Sequence, residues 1–533
     1  MRRSLILALL LASPALLAQG PPPISLTLEE GTRRALAKNQ DIAIERESLT
    51  QADEAVRGSK GAYDPGLSVD GSWRHHIDPV NSLFAGAPDD ELAPSMTGYG
   101  LGASLNQYLP TGGTVSLFTA LHYDTTNNIF IPLSPAWGTS IGLSLRQPLL
   151  QNFSIDPARQ AIRIAAVNRD GETAHLRRTV TETVAAVENT YWSLVAARRA
   201  VEVLESSVAL AKQQLSETQI RVDAGVLAKT DLAQPTAELE RRRGLLAEAR
   251  DLVMRVTTNL KLQILADRTD SDWAREIVPT DDPAMAEIQA DVDQALATAL
   301  KNRPEVLEAG AAVARAGIDV EFGESVVKPR LDLIASYSRQ GLSGSVNPDA
   351  TNCFGAPSSS PCPPVVLPDA LNGGLGRSYG TIGENHFPDV SVGLSFSFPI
   401  MNRAAKANLA VAKSQEEQAK IAASQTDQRI EADVRNAVFA LTTQKQRLEA
   451  ARAGRAAAET QLFAEQERFA VGLSTNFFVL TRQNDLTSAR VTEISALTDY
   501  RRAAIEFARA QGTLLAERRI TIEPPAQAGG GAK

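Results

Sequence analysis

Cysteine and histidine are nearly missing: 533 residues contain two Cys and five His. A metal centre or a Cys/His catalytic apparatus therefore has few residues to draw on. No HExxH, P-loop or CxxC pattern occurs in the chain, which removes the usual carriers of zinc-dependent, nucleotide-driven and thiol-redox chemistry. The net charge of −8 argues against nucleic acid as a partner. Aromatic residues are scarce at 5% although 43% of the chain is hydrophobic, a balance that suits long, lightly packed helices better than a large globular core. Beyond the N-terminus nothing supplies the ~18 consecutive apolar residues of a transmembrane helix. The carboxylates are scattered along helical stretches and read as solvated faces. The two cysteines, Cys353 and Cys362, lie in a Pro/Gly/Ser-rich stretch with Pro361 and Pro363 beside the second. A local disulfide fits them better than a metal site, since His386 is distant and His75 and His76 fall in an exposed loop or at a strand end.

The first residues are of a different kind. Arg2 and Arg3 precede "LILALLLA", followed by Ser13, Pro14 and small residues to Ala18, the layout of a secretory signal peptide cut after Ala15 or Ala18. No Cys lies near that cut, so no lipid anchor is expected.

The mature chain reads as a tandem duplication, the feature that decides the whole fold. "ALAKNQDI" (35–42) matches "ALKNRPEV" (299–306), and "YDPGLSVD" (63–70) matches "VKPRLDLI" (327–334). "GLSLRQPL" (142–149) matches "GLSFSFPI" (393–400), and "VENTYWSL" (187–194) matches "VRNAVFAL" (434–441). "RVDAGVLAKTDL" (221–232) is echoed by "RFAVGLSTNFFV" (468–479). Each half thus runs short helices, strands, long helix, tip, long helix.

Val180, Val184, Val187, Tyr191 and Leu194 alternate spacings of four and three, a coiled-coil seam. Asp156 before Pro157 is a start signal and Gly225 a stop. Between them lie roughly 66 residues, about 100 Å of helix at ~1.5 Å per residue. The returning helix, about 229–266, carries Pro235, which should loosen its first turns. The second half repeats the pattern at about 403–470 and 475–517.

Between the helical parts, segments of about ten residues alternate apolar with small or polar side chains, the period of a membrane-barrel strand. Leu67, Val69 and Trp73 form one such face, Tyr99, Leu101, Ala103 and Leu105 a second, and Val115, Leu117, Thr119, Leu121 and Tyr123 a third. Ile141, Leu143 and Leu145 follow, then Leu331, Leu333, Ala335 and Tyr337, and Val390 through Phe398. "YLPTGGTV" (108–115) reads as a tight turn, whereas about 75–97 and 124–137 read as longer external loops.

Signal peptide, duplicated plan, the tips "RVDAGVLAKTDLAQPTAELE" and "RFAVGLSTNFFVLTRQNDL", and the junctions "LRQPLLQNF" and "FSFPIMNR" together resemble the outer-membrane efflux protein family, the TolC-like channels, over essentially the whole mature chain. The resemblance implies an α+β membrane protein: a homotrimer closing one transmembrane β-barrel, continuous with a long periplasmic α-helical coiled-coil barrel. It implies four strands per protomer, whereas the alternating segments count six. On this plan 1–18 is the signal peptide, 19–62 equatorial helices of the first repeat, 63–150 its outer-membrane strands and 151–270 its helical hairpin. Residues 271–326 are linker and equatorial helices of the second repeat, 327–400 its strands and external loop, 401–517 its hairpin, and 518–533 a flexible tail.

Function implied by the resemblance is an exit channel for a tripartite efflux or type I secretion system in the outer membrane of a Gram-negative-type bacterium, without cofactor, metal or catalysis. Its partners would be further copies of the chain, outer-membrane lipid, a periplasmic membrane-fusion adaptor and an inner-membrane pump of RND, ABC or similar type. Gly225, Val226, Leu227, Gly472, Leu473 and Ser474 are the expected adaptor-docking tips. Thr230 and Asp231 match the family's aperture pair, while Phe469, Ser474, Phe478 and Thr481 depart from its second-tip partners. Phe469 and Phe478 therefore stand as candidate aperture residues of an apolar kind. The alternative is a secreted or periplasmic coiled-coil scaffold or adhesin without channel activity, which detergent-free solubility would distinguish.

Overall fold

The computed structural model describes residues 22–77, 79, 86–88, 91–282, 288–352 and 363–522. The signal segment and the Cys353–Cys362 pair lie outside the described residues. In chain order the elements are β1 (Ile24–Leu26), α1 (Leu28–Lys38), α2 (Gln40–Lys60), β2 (Gly66–Ile77), β3 (Ser95–Tyr108), β4 (Thr114–Thr126), β5 (Leu133–Pro148), α3 (Pro157–Asp223) and α4 (Ala233–Ile264). They continue as β6 (Ile277–Pro279), α5 (Val292–Asn302), α6 (Pro304–Val327), β7 (Arg330–Val346), α7 (Leu375–Gly383), β8 (Phe387–Ser397), α8 (Arg403–Ala470), α9 (Asn476–Ala510) and α10 (Leu514–Glu517). The chain divides into two compact units, one of Met1–Thr50, Gly171–Gly310 and Ala422–Lys533, the other of Gln51–Asp170 and Ala311–Ile421.

The first unit is helical. The seam residues Val180, Val184, Val187, Tyr191 and Leu194 are all buried, packed with Leu26, Ile42, Leu260, Ile264 and Leu514. A second cluster holds Val434, Val438 and Leu441 with Ala295, Ala299, Tyr500 and Phe507. Each fully buried aliphatic side chain stabilises by about 1.5–3 kcal/mol, so these clusters, not helix propensity, hold the long rods. The matched "ALAKNQDI" and "ALKNRPEV" each fall on a one-residue break between two helices, at Asn39 and at Arg303. Asn39 accepts from the Asp41 amide at 2.9 Å, which caps α2. Tyr191 was legible only as a seam residue; its hydroxyl donates to the Asp281 carboxylate at 2.5 Å and accepts from the Thr280 amide at 3.2 Å. Burial, together with the Asp281 bond, pushes that phenol well above its ordinary range.

Two details depart from expectation. Residues Lys229–Leu232 form a 3₁₀ turn and the α-helix begins only at Ala233; Pro235, lacking an N–H, is tolerated because it stands in that first α-turn. At the other end α9 stops at Ala510 rather than running to 517, because Gly512 takes φ +70 and a separate short helix, α10, follows. A parallel ladder of β1 with β6, three residues long, went unforeseen because "ISL" and "IVP" are too short to display alternation.

In the second unit six strands form one antiparallel sheet in the order β2-β3-β4-β5-β7-β8. Strands β3 and β4 are interior members with unbroken registers on both sides. Their connecting turn is pinned: the Thr111 hydroxyl donates to Gln147 Oε1 at 2.7 Å, Gln147 Nε2 donates back to the Thr111 carbonyl at 2.9 Å, and Gln107 Nε2 donates to the Tyr63 carbonyl at 2.6 Å. No helix among the described residues is long and apolar enough to cross a membrane.

Candidate functional site: hairpin tips and a two-faced sheet

Both tips end their helices the same way. At the first, the Gly225 amide donates to the Val222 carbonyl (3.0 Å) and the Val226 amide to that of Arg221 (2.9 Å). At the second, Gly472 donates to Phe469 (3.1 Å) and Leu473 to Arg468 (2.9 Å). These are paired Schellman closures, and they explain the repeated pattern of Arg, apolar residue, two spacers, Gly and apolar residue: the Gly takes the left-handed conformation, φ +74 and +77 here. Val226 and Leu473, the residues after each Gly, are 72% and 80% exposed. Leu227 is half-buried. The Ser474 hydroxyl turns back to Glu465 at 2.5 Å.

The Asp231 carboxylate accepts the Ala228 amide at 3.0 Å, so it caps the turn that opens α4, where the helix dipole favours an anion. Thr230 is exposed beside it. Phe478 is exposed and meets Phe477 edge-on, centroids 5.5 Å apart. Phe469 is half-buried because Arg221 lies over its ring, 5.6 Å from the centroid. That cation–π contact joins the two tips, and a Gln214–Asn476 hydrogen bond of 2.5 Å reinforces it. Nearby, Arg242 is almost wholly buried between the Glu238 carboxylate (2.6 Å) and the Ser207 carbonyl (2.9 Å). Arg242 and Glu238 were missed from sequence, where the Glu238-x-x-Arg241-Arg242 spacing, one helical turn, was the available signal; Arg221 was legible as the Arg of the repeated tip pattern, but its contact with Phe469 was not. Among the described residues no cluster of His, Cys, Asp and Glu could hold a metal.

The sheet has two chemically opposite faces. The registers put Leu67, Leu105, Leu117, Leu143, Tyr337 and Val390 in one cross-strand row on one face. That face is apolar and bare over most of its area: Val392 is 73% and Trp73 65% exposed. The other face carries Ser68 and Ser104 at 2.7 Å, Asn106 and Ser116 at 2.5 Å, Ser336 and Ser391 at 2.7 Å, and Arg146 donating to the buried Asp332 at 2.7 Å. In water such a sheet would leave an apolar patch far larger than soluble proteins expose. A sheet of this kind would be satisfied on both sides if one met lipid and the other water.

The comparisons with known proteins agree with this geometry. Residues 132–263 and 295–513 match the family described as outer membrane efflux protein. The chain is 23% identical over 442 residues to the outer membrane efflux protein BepC of Brucella suis, covering 82% of this chain and 83% of that one. Among solved structures it resembles a membrane protein from Pseudomonas aeruginosa (TM-score 0.64, 16% identity, 92% and 91% of the two chains). It also resembles the Campylobacter jejuni CmeC outer membrane channel (TM-score 0.62, 15% identity, 96% and 94%). The chain belongs to the outer membrane efflux protein family, TolC-like channels that transport rather than catalyse.

Proposed function

We propose that the protein is the outer-membrane exit duct of a tripartite efflux or type I secretion system, a homotrimer that receives cargo from an inner-membrane pump through a periplasmic membrane-fusion adaptor. The observation that carries this reading is the sheet: six strands, one apolar face, one polar face, and two edges, β2 and β8, that find no strand partner within the described chain. Lipid tolerates no open sheet edge. The edges run in opposite directions, so β8 of one copy can pair antiparallel with β2 of the next. Three copies would then close a barrel of eighteen strands, six from each protomer rather than four, with the serine-rich face lining the pore. The two halves of the chain are read as one duplicated unit, and the long helices as the wall of a periplasmic tunnel.

At the tips, Gly225, Val226, Leu227, Gly472, Leu473 and Ser474 supply the adaptor-docking surface, their exposed apolar side chains being what a helical-hairpin partner would cover. Thr230, Asp231, Phe469 and Phe478 form the periplasmic aperture, with Asp231 contributing charge and Phe478 an apolar constriction. The test is reconstitution: purified protein in planar bilayers is expected to give discrete ion-conducting steps and to need detergent for extraction. A protein soluble without detergent and silent in bilayers would overturn the reading in favour of a scaffold.

A further inference from the structure

Helix α7 is packed against the sheet the wrong way round for a helix in water. The side chains it buries are hydroxyls, Ser378 and Thr381, both without solvent exposure. Its apolar stripe, Leu375, Tyr379 and Ile382 at spacings of four and three, lies about a quarter turn away, and Tyr379 is 47% exposed. The seat is on the apolar face. Thr139, two residues before Ile141 on β5, meets the Ser378 hydroxyl at 2.8 Å, and Ser343 of β7 donates to the Gly374 carbonyl at 2.9 Å. A Cβ at Gly341 would stand 2.1 Å from the Ser378 carbonyl oxygen, so only glycine admits the helix there. Pairing of β7 with β8 ends at Gln340 and Phe387, and beyond it the Leu342 amide bonds instead to the Thr381 hydroxyl at 3.2 Å.

A row of aromatic side chains leads to this spot. Trp73, Tyr99, Tyr123 and Trp137 are cross-strand partners in sequence across β2, β3, β4 and β5. The Tyr99, Tyr123 and Trp137 rings touch in turn, with centroids 6.2 Å apart for Tyr99–Tyr123 and 4.4 Å for Tyr123–Trp137. The next partner in the row is Ser343, the small residue on which α7 rests. Tyr and Trp gather where a bilayer meets water. At that row β7 offers no aromatic of its own, and α7, which carries the exposed Tyr379, rests there.

We infer that α7 is an interfacial anchor, lying in the headgroup region of the outer leaflet with Leu375, Tyr379 and Ile382 set among the lipids. This rests on the proposed reading that the apolar sheet face meets lipid. With its inner side satisfied by hydroxyl and backbone bonds, the helix leaves Tyr379 exposed and Leu375 and Ile382 half-buried, and the lipid interface is the surface continuous with that stripe. It would fix the depth and rotation of each protomer where β8 falls short of β7.

The test uses the full-length protein with Cys353→Ser and Cys362→Ser, carrying Tyr379→Cys labelled with bimane and reconstituted in phosphatidylethanolamine/phosphatidylglycerol vesicles with doxyl-lipids. The label is expected to be quenched about twofold more by a shallow doxyl than by a deep one, as an interfacial depth of ~5–10 Å requires. Leu394→Cys, on the apolar face of β8, should be quenched most by the deep doxyl, and Ser391→Cys, on the polar face, by neither. Leu375→Cys repeats the measurement should Tyr379→Cys assemble poorly. No quenching at 379 with normal quenching at 394 overturns the anchor alone, whether α7 then faces water or a second copy of the chain. Deep quenching at 379 overturns the interfacial depth. Absence of quenching at 394 as well removes the lipid-facing reading on which the anchor stands.

Discussion

The Arg518 guanidinium donates two hydrogen bonds, 2.6 and 2.7 Å, to the Glu188 carboxylate, which is completely buried in α3. The pair ties the helix seam to the chain beyond α10. Removing the arginine leaves a buried charge uncompensated, which costs about 3–5 kcal/mol. Arg518→Ala is therefore expected to lower the thermal midpoint of the detergent-solubilised protein, and Glu188→Gln in the same background should restore part of the loss. Circular-dichroism melts check both, and an unchanged midpoint for Arg518→Ala would contradict the assignment.

Glu238 gives the account a pH dependence. Burial alone would raise its carboxyl, but hydrogen bonds from Arg241, Arg242 and Asn484 bring it down to about 2. A carboxyl depressed in the folded state stabilises above its unfolded pKa of ~4.3, and that contribution fades as pH falls from there toward the folded value. The midpoint difference between wild type and Glu238→Gln should be largest near neutrality and shrink below about pH 4. A difference independent of pH would remove the ion pair from the explanation.

At the tips, Gly225→Val and Gly472→Val force a β-branched residue into the left-handed region, a cost of about 1–2 kcal/mol or more at each site. Val226→Asp with Leu473→Asp leaves the turn intact but places charge on the proposed docking surface. Such a double variant is expected to assemble normally in the outer membrane while losing efflux, read as increased sensitivity to exported dyes. Retained efflux would take those side chains out of the docking surface.

Asp231 has two separable parts to play. Asp231→Ala removes both the charge and the acceptor for the Ala228 amide, a cap worth about 0.5–2 kcal/mol. Asp231→Asn keeps an acceptor and removes only the charge. If Asp231 lines the aperture, both variants weaken cation selectivity or block by multivalent cations in planar bilayers, while only the alanine lowers stability. Unchanged selectivity in both would leave Asp231 a helix cap alone.

What could be read from the sequence follows how far each interaction reaches along the chain. The rods were legible because Val180 through Leu194 repeat a seam, and their ends because Gly225 and Gly472 recur in matched surroundings. The strands were legible because period-two alternation survives in every segment from Leu67 to Phe398, including the β3–β4 hairpin. Helix α7 was not, since "LGRSYGTIG" carries three glycines and buries its hydroxyls, inverting the pattern by which a helix announces itself. Nor were the contacts of Glu188 with Arg518, 330 residues apart, or of Arg221 with Phe469, because no local period links such partners. At the tips the turn chemistry was visible and the bridge between them was not.

The central claim is that copies of this chain close one barrel through the edges of β2 and β8. Single-particle electron microscopy of the full-length protein in lipid nanodiscs tests it most directly. The account predicts three copies per particle, with β2 of each beside β8 of the next and eighteen strands in the disc, β3 and β4 among them. A particle with β3 and β4 outside the barrel wall, or a helical assembly that sits in no disc, would contradict it.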